Sequence, residues 1–279
     1  MFENILNLIR YKHWIKNLII FAPLIFSDNL LDKSKVIDVL IVFFYFCIFS
    51  SAIYIFNDLC DYQSDKKISF KKAKKPIANG DISLPLAKNI FIFTMVLSIV
   101  LIYLTPSIRL PAISFLILNI LYSIKLKHIV IVDLFTVCLS YILRVFSGAL
   151  IIEVEFSNLM FATIFSAALF LISLKRQKEF SLIKKLQRRV MVDYNKNIFI
   201  FLIITSLSVT LSLYAIYIIN FNKDLIYTFP LLLFIFFRYL VIYIKEKNED
   251  SPVEIFLKDY ISIIASLTFS FWILFSYIY

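Results

Sequence analysis

The sequence contains very little glycine, cysteine and histidine, and these shortages exclude several kinds of site. Only two glycines, Gly80 and Gly148, occur in 279 residues, whereas Walker A loops and dinucleotide-binding loops both need clustered glycines. Three cysteines form no CxxC pair, and there are two histidines, which argues against a structural zinc site or a disulfide framework. The chemistry of this protein must therefore depend on other residue types.

Charged residues are also scarce, at 17% of the chain, and apolar residues predominate. The apolar fraction is 61%, the aromatic fraction is 17% and the mean hydropathy is +0.87, whereas an average soluble domain is roughly half apolar. This composition predicts an all-α, polytopic membrane protein. The net charge of +10 indicates anionic partners, and in a membrane these are lipid headgroups or a phosphorylated substrate rather than nucleic acid.

Nine segments are apolar enough to form a transmembrane helix of about 20 residues. They are residues 17–30, 36–56, 87–104, 109–124, 129–151, 157–174, 197–220, 225–244 and 259–277. The first is the weakest, because it is short and contains Pro23. With a cytoplasmic N-terminus, the inner segments contain 24 of the 29 lysines and arginines. This asymmetry follows the positive-inside rule and supports nine helices with the N-terminus in the cytoplasm.

The longest connections, about residues 57–86 and 175–196, lie on the cytoplasmic side in this topology. Loops longer than about 12–15 residues are usually functional or disordered, so we expect the active chemistry to face the cytoplasm. No linker or low-complexity tract divides the chain. We therefore expect a single transmembrane catalytic domain over residues 1–279, with these two segments as its cytoplasmic caps.

An acidic stretch, residues 57–65, follows directly from the second predicted span. At 100° per residue, one amide and three carboxylates of this stretch share a helix face about 100° wide. Such close carboxylates repel each other unless a cation lies between them, and oxygen ligands suit Mg²⁺. A lysine-rich segment follows, which is suited to diphosphate; the alternative is a solvated helix end paired to those lysines. The four residues are Asn57, Asp58, Asp61 and Asp65.

A second ionic set lies on the fifth predicted span, where Asp133 and Arg144 are 11 residues apart and share a helix face. An arginine in mid-membrane costs roughly 2.5–3.5 kcal/mol on insertion scales, so we expect this face to line a polar cavity. The alternative is a structural contact with a neighbouring helix. Arg10, Lys12 and Lys16 precede the first span, and anchoring to lipid headgroups explains them as well as substrate contact does.

Two motifs resemble those of the UbiA superfamily of intramembrane prenyltransferases, whose members have nine helices and a cytoplasmic N-terminus. The motifs are Asn57-Asp58-x-x-Asp61-x-x-x-Asp65, continued by Lys75-Pro76-Ile77-Ala78-Asn79-Gly80, and Tyr122-Ser123-x-x-Leu126-Lys127. Family members often have arginine where this chain has Lys75. They also carry two acids spaced DxxxD that hold a second magnesium ion, whereas here Asp133 is followed by Val137 at the fourth position.

One branch, the decaprenyl-phosphate phosphoribosyltransferases, tolerates this missing acid, and the chain is similar to it along most of its length. The similar stretches include Trp14-Ile15-Lys16-Asn17, Leu126-Lys127-His128, Leu143-Arg144, Lys175-Arg176 with Glu179, Arg238-Tyr239 and Glu249-Asp250-x-Pro252. The resemblance implies transfer of 5-phosphoribosyl from phosphoribosyl diphosphate (PRPP) to decaprenyl or undecaprenyl phosphate, with release of diphosphate. It also implies a role in cell-envelope glycan synthesis at the bacterial plasma membrane, and it permits homo-oligomers.

The resemblance implies roles for individual residues. Asn57, Asp58, Asp61 and Asp65 would hold Mg²⁺, and the three aspartates would act on the leaving diphosphate through it. The implied substrate-binding residues are Lys16, Asn57, Lys75, Tyr122, Lys127, Asp133, Arg144, Lys175 and Arg176.

Two other functions stay open. The first is a UbiA-type prenyltransferase that moves an isoprenoid from a polyprenyl diphosphate to an aromatic or other acceptor, which the missing acid at Val137 disfavours. The second is a lipid transporter or flippase without enzymatic activity. It would account for the spans and the basic loops, but it gives no reason for four metal-type ligands on one helix face.

Overall fold

The computed structural model describes residues 2–27, 29–67, 72–73, 75–182, 194–246 and 252–278. In this part of the chain the secondary structure is helical and contains no strand, as the composition predicts. The chain divides into two compact units, Met1–Glu155 (unit 1) and Phe156–Tyr279 (unit 2).

Unit 1 is organised around one helix of 33 residues, Lys33–Asp65. At 1.5 Å per residue this helix is about 50 Å long, so it can cross a hydrocarbon core of about 30 Å and extend beyond it. The α-helices of unit 1 are α1 (Phe2–Ile9), α2 (Ala22–Ile25), α3 (Lys33–Asp65), α4 (Pro76–Asn79), α5 (Leu84–Leu104), α6 (Arg109–Ile124) and α7 (Val132–Ile151). Its 3₁₀ segments are Tyr11–Phe21, Pro106–Ile108 and Leu126–His128.

An aromatic core joins α3 to α6. Phe46 contacts Phe49 and Phe115 edge to face, with ring centroids 5.2 Å apart in both pairs, and all three side chains are fully buried. Edge-to-face contact is a favoured geometry for aromatic pairs. The core therefore fixes α3, whose last turns carry the acidic stretch.

The N-terminal 3₁₀ segment lies against α7 at Gly148. A Cβ at Gly148 would lie 2.1 Å from the carbonyl oxygen of Ile20. No side chain can be accommodated at that distance, so the close approach of the two backbones requires glycine. Gly148 lies one helical turn after Arg144 on α7, so this contact keeps the 3₁₀ segment close to Arg144.

Unit 2 contains five described α-helices and packs around a second aromatic core. They are α8 (Asn158–Leu182), α9 (Lys196–Phe221), α10 (Thr228–Lys245), α11 (Pro252–Lys258) and α12 (Tyr260–Ile278). Phe170 of α8 packs against Phe236 of α10, with centroids 5.3 Å apart. Asp259 precedes α12 and accepts a hydrogen bond from the Ser262 backbone N–H (2.9 Å), which caps this helix.

Among the described residues, seven helices are long and apolar enough to cross a membrane, as in a multi-pass membrane protein. They are Lys33–Asp65, Leu84–Leu104, Pro106–Ile124, Val132–Ile151, Asn158–Phe180, Lys196–Phe221 and Lys223–Lys245, and the apolar helix Tyr260–Ser276 is shorter. These eight helices coincide with eight of the predicted spans.

The remaining predicted span, residues 17–30, is not one helix. The chain there passes from the 3₁₀ segment Tyr11–Phe21 into the four-residue α2, with Pro23 in its first turn. The side chain of Asn17 is fully buried and bonded to neighbouring helices, so tertiary contacts rather than apolar periodicity set its conformation. The count of nine spans and the cytoplasmic N-terminus stay predictions.

The predicted cytoplasmic caps begin as extensions of helices. Residues 57–65 belong to α3, and residues 175–182 belong to α8. Parts of both caps, including residues 183–193 and Lys74, lie outside the described residues. The single catalytic domain over residues 1–279 also stays a prediction.

Candidate functional site

The predicted acidic face is formed by the last three turns of α3. Asp58 and Asp65 are buried, each with 2% of its surface exposed, and Asn57 and Asp61 are half-buried. Buried carboxylates need compensating charge or hydrogen bonds. Each of the three aspartates contacts a basic side chain, and the three partners come from three separate segments of unit 1.

Asp58 contacts two cations through the same oxygen. Its Oδ1 accepts a hydrogen bond from Arg10 Nη2 at 2.6 Å, and Lys75 Nζ lies 2.8 Å from that oxygen. The Arg10 guanidinium also lies over the ring of Tyr54, 4.9 Å from its centroid. Asp58 therefore pairs with one cation from the segment before α3 and one from the segment after it.

Lys75 bridges two of the aspartates, because its Nζ also donates to Asp65 Oδ2 at 2.5 Å. The local sequence explains its position. Lys75 has an extended backbone (φ −110°, ψ 114°), as expected of a residue that precedes proline. The short helix that begins at Pro76 ends at Gly80, whose φ of 96° is readily adopted only by glycine.

The third aspartate, Asp61, is paired with Lys127, whose Nζ donates to Asp61 Oδ1 at 2.5 Å. Only 3% of Lys127 is exposed. It lies in the 3₁₀ segment between α6 and α7, shortly before Ile131, which has a φ of 67°. A positive φ is a true outlier for a β-branched residue, and such strain is often found at functional sites.

The three aspartates and these three cations form a charge-balanced group, called the charge cluster below: Arg10, Asp58, Asp61, Asp65, Lys75 and Lys127. Within the described residues, no three His, Cys, Asp or Glu side chains are gathered as metal ligands. Asp58 and Asp65 nevertheless converge on one positively charged atom, Lys75 Nζ. Two carboxylates directed at one cationic centre fit a divalent cation. The geometry is therefore compatible with the predicted metal ligands, which stay a prediction.

Arg10 is the residue of this cluster that the sequence did not single out as a site residue. It links α1 to the 3₁₀ segment in a left-handed conformation (φ 54°, ψ 49°). Burial acts to lower the pKa of its guanidinium, but Asp58, Tyr54 and Asp65 together outweigh that effect and raise the pKa above its ordinary value. Its partner is 48 residues away, and no local pattern in the sequence connects the two.

Arg144 is buried in a different environment, among neutral groups. Its Nε donates to Asn17 Oδ1 (2.8 Å), its Nη1 donates to the Ser140 carbonyl oxygen (2.8 Å), and its Nη2 donates to Ser50 Oγ (3.4 Å). Its guanidinium also lies over the Phe115 ring, 4.6 Å from the centroid. None of these described contacts joins the charge cluster, so the structure does not bring Arg144 to the aspartates.

The other predicted site residues of unit 1 lie on the elements around the cluster. Asp133 is fully buried in the first turn of α7, where the helix dipole favours a carboxylate. Lys16 is half-buried in the N-terminal 3₁₀ segment, and Tyr122 is half-buried near the end of α6.

The predicted site residues of unit 2 pair within α8. Arg176 has 2% of its surface exposed, and its Nη1 donates to Glu179 Oε2 at 2.5 Å. Lys175 Nζ lies 3.9 Å from Glu179 Oε1, and 40% of the Lys175 side chain is exposed. Lys178 lies over the Tyr243 ring, 4.8 Å from its centroid. Unit 2 thus has its own group of two basic residues, Lys175 and Arg176, beside one acid.

Comparison with known proteins identifies relatives of this arrangement. The model of the UbiA prenyltransferase family matches residues 20–272. The chain is 30% identical over 182 residues to a decaprenyl-phosphate phosphoribosyltransferase from Corynebacterium glutamicum, which covers 63% of this chain and 54% of that protein. It is 25% identical over 186 residues to the protein of that name from Mycobacterium tuberculosis, with coverages of 65% and 61%. The chain thus spans between half and two thirds of these relatives.

Solved structures show the same fold at lower identity. A UbiA homologue from Archaeoglobus fulgidus bound to GPP and Mg²⁺ has a TM-score of 0.74 and is 18% identical, and the match covers 99% of this chain and 100% of that one. The same homologue bound to DMAPP and Mg²⁺ gives a TM-score of 0.72. The helical arrangement is therefore a UbiA-like fold.

Proposed function

This chain belongs to the UbiA prenyltransferase family, and from that premise we propose that it is a polyprenyl-phosphate phosphoribosyltransferase. It transfers 5-phosphoribosyl from PRPP to decaprenyl or undecaprenyl phosphate and releases diphosphate, for cell-envelope glycan synthesis. The observation that carries the proposal is the charge cluster, in which three aspartates and three cations converge at the end of α3. The names of the relatives from Corynebacterium and Mycobacterium support the choice of donor and acceptor.

The oxygens of Asn57, Asp58, Asp61 and Asp65 would hold Mg²⁺, which stabilises the charge that develops on the leaving diphosphate. The basic residues neutralise the other phosphates: Lys75 and Lys127 at the cluster, with Lys16, Lys175 and Arg176 as further binding residues. Tyr122 and Asp133 orient the ribose or a neighbouring lysine. The acceptor is already an anionic phosphate, so the chain needs no general base, which agrees with its two histidines.

The proposal includes the topology of nine spans with a cytoplasmic N-terminus in the bacterial plasma membrane. The cluster then faces the cytoplasm, where PRPP is water-soluble and accessible. The apolar helix walls hold the isoprenoid chain, as apolar surfaces do in lipid. Nucleic acid has no part in this function.

A second candidate is transfer of an isoprenoid from a polyprenyl diphosphate to an aromatic or other acceptor. The likeness to structures bound to GPP and DMAPP favours it. Val137 argues against it, because the second acidic pair of ordinary family members is incomplete here. We therefore expect the wild type to be active without Val137→Asp, whereas turnover in the Val137→Asp variant alone would favour the second candidate.

Diphosphate release by the detergent-purified protein with Mg²⁺ separates these functions. One reaction contains PRPP and a polyprenyl phosphate, and the other contains a polyprenyl diphosphate and an aromatic acid. We expect release only in the first. Release only in the second would identify an ordinary prenyltransferase, and release in neither would favour the lipid transporter or flippase.

The Asp61→Asn variant tests whether this activity depends on the cluster. We expect it to fold and insert but to lose turnover, because the neutral amide attracts Mg²⁺ less strongly than the carboxylate does and cannot balance the charge of Lys127. Asp38→Asn is the matched control, since Asp38 lies on the same helix, more than 20 residues from Asp61. Retained turnover in Asp61→Asn would remove this aspartate from the site.

A further inference from the structure

We propose that Arg10 is an active-site residue that exchanges partners: it pairs with Asp58 and moves to the diphosphate when diphosphate and a divalent cation bind together. The inference rests on the proposed function, but only on its metal and diphosphate part. It does not depend on which group is transferred or to which lipid.

One oxygen of Asp58 is crowded by two cations. Arg10 Nη2 and Lys75 Nζ both contact Asp58 Oδ1, at 2.6 and 2.8 Å. A metal ion that takes this oxygen as a ligand must displace at least one of the two cations, because like charges repel at such distances. Among the described residues, Arg10 forms an ion pair with Asp58, whereas Lys75 forms ion pairs with both Asp58 and Asp65. Displacing Arg10 therefore breaks fewer ion pairs than displacing Lys75 does.

Movement of the Arg10 side chain alone is sufficient for this exchange. The chain on both sides of Arg10 contacts Ser51 of α3, through the Ile9 backbone and the Trp14 side chain. The Ser51 hydroxyl is shared between the carbonyl oxygens of Cys47 (2.7 Å) and Ile9 (3.1 Å), and Ser51 Oγ accepts from Trp14 Nε1 at 3.0 Å. Arg10 lies between these two anchors in a left-handed conformation (φ 54°), which is uncommon for a residue other than glycine. These contacts keep the Arg10 backbone at the site, so that partner exchange requires only a rotation of its long side chain.

Charge balance favours binding of the cation and the diphosphate together. A divalent cation alone would leave a displaced, largely buried cation without an anionic partner, which is costly. Diphosphate alone would meet cations that are already engaged by carboxylates. When both bind, the metal replaces the cations at the carboxylates, and the displaced Arg10 acquires an anionic partner. Each ligand therefore strengthens binding of the other, which is a coupling between two sites.

The test compares two binding measurements on the purified protein, neither of which needs turnover. Binding of Mn²⁺ alone is measured from its free-ion resonance signal, and binding of preformed magnesium diphosphate is measured by calorimetry. In Arg10→Met we expect Mn²⁺ alone to bind about 10-fold more tightly, because one competitor for Asp58 is gone. We expect magnesium diphosphate to bind about 10-fold more weakly, because one charged hydrogen bond to the anion is lost.

Opposite changes are what separates partner exchange from a structural role, since a damaged fold would weaken both kinds of binding. Lys12→Met is the matched control, because Lys12 is an exposed cation two residues away that lies over the Tyr11 ring and should leave both affinities unchanged. Arg10→Lys should restore most of the diphosphate affinity. Changes of the same sign in Arg10→Met, or no binding of either ligand to the wild type, would overturn the inference.

The outcomes also separate this inference from the proposed function. Opposite affinity changes without any phosphoribosyl transfer would support the exchange and refute the proposed substrates. Phosphoribosyl transfer together with affinity changes of the same sign would refute the exchange alone.

Discussion

Two arginine–aspartate ion pairs of the described residues, one in each unit, differ in what surrounds the carboxylate. In unit 2, Arg238 contacts Asp259 in a bidentate way, with Nε–Oδ2 at 2.9 Å and Nη2–Oδ1 at 2.8 Å. The backbone N–H and the hydroxyl of Ser262 donate to Oδ2 as well. In unit 1, Arg10 and Lys75 both contact a single oxygen of Asp58. Both oxygens of Asp259 thus accept hydrogen bonds, whereas a single oxygen of Asp58 contacts two side-chain cations.

This difference shows that a buried ion pair does not by itself mark a functional site. Asp259 caps α12 and joins it to α10, and the Arg238 side chain holds the pKa of this carboxyl well below its usual range. Its donors include the backbone N–H of its own helix, so they cannot leave without breaking structure. The donors to Asp58 are long side chains from two separate segments, and they can be exchanged for other ligands. Structural and functional pairs therefore differ in how replaceable their donors are.

The largest effect should come from removing one carboxylate from each pair. Asp58→Asn is expected to lower kcat about 1000-fold, because a metal contact contributes several kcal/mol to the transition state. Asp259→Asn is expected to change kcat less than about 3-fold, because that pair is structural. Diphosphate release measured at saturating substrate checks both. Similar losses in the two variants would mean that the comparison does not distinguish function from stability.

A smaller effect is expected for the cation that bridges two aspartates. Lys75→Met should lower kcat/KM roughly 10- to 100-fold, because it removes a charged contact worth about 1.5–3 kcal/mol. Lys75→Arg should retain most of the activity, since it preserves the positive charge between Asp58 and Asp65. Steady-state kinetics on the pair of variants is the measurement. Equal loss in both would mean that the shape of lysine matters more than its charge.

At Arg144 we expect an effect on stability even when the charge is kept, because neutral acceptors rather than carboxylates bind this guanidinium. Arg144→Lys keeps the charge but loses the geometry that reaches Asn17 and the Ser140 carbonyl, so it should lower the free energy of unfolding by about 2 kcal/mol. Arg109→Lys, at an exposed site on α6, should cost less than about 0.5 kcal/mol. Unfolding in mixed detergent micelles measures both. A large loss of activity at unchanged stability would instead make Arg144 a substrate contact.

The smallest effect is a pH dependence confined to the structural pair. The pKa of Asp259 is lower in the folded chain than in the unfolded chain, where it is about 3.9. Its stabilising contribution is therefore complete above about pH 4 and is lost as the pH falls below that value. The difference in unfolding midpoint between the wild type and Asp259→Asn should shrink from pH 7 to pH 3. A constant difference would show that Asp259 stabilises α12 without its charge.

Much of the fold was predictable because a segment that crosses lipid must meet a few simple requirements that can be read from the sequence. A spanning segment must be long, apolar and helical, and eight of the nine predicted spans coincide with apolar helices. The acidic face at the end of α3 was predictable as well, because helical periodicity alone places Asn57, Asp58, Asp61 and Asp65 on one side.

Residues 17–30 show where this reasoning fails. Their apolar composition suggests a span, but the fully buried Asn17 is bonded to Cys47 and Arg144, which lie on α3 and α7. Such contacts join residues far apart in the chain, and no local periodicity reports them. The face of Arg144 was predicted to line a polar cavity for the same reason. Its hydrogen bonds to Asn17 and Ser50, which lie on neighbouring elements, are visible only in the folded unit.

The sequence by itself therefore determined the membrane helices and the acidic face, because helix period and burial in lipid depend on neighbouring residues. Only the tertiary structure decided which cation meets which aspartate. Asp58 and Arg10 are 48 residues apart, and Asp61 and Lys127 are 66 residues apart. These contacts require close packing of distant segments, such as the approach of Gly148 to the Ile20 backbone, and packing is a property of the folded chain as a whole.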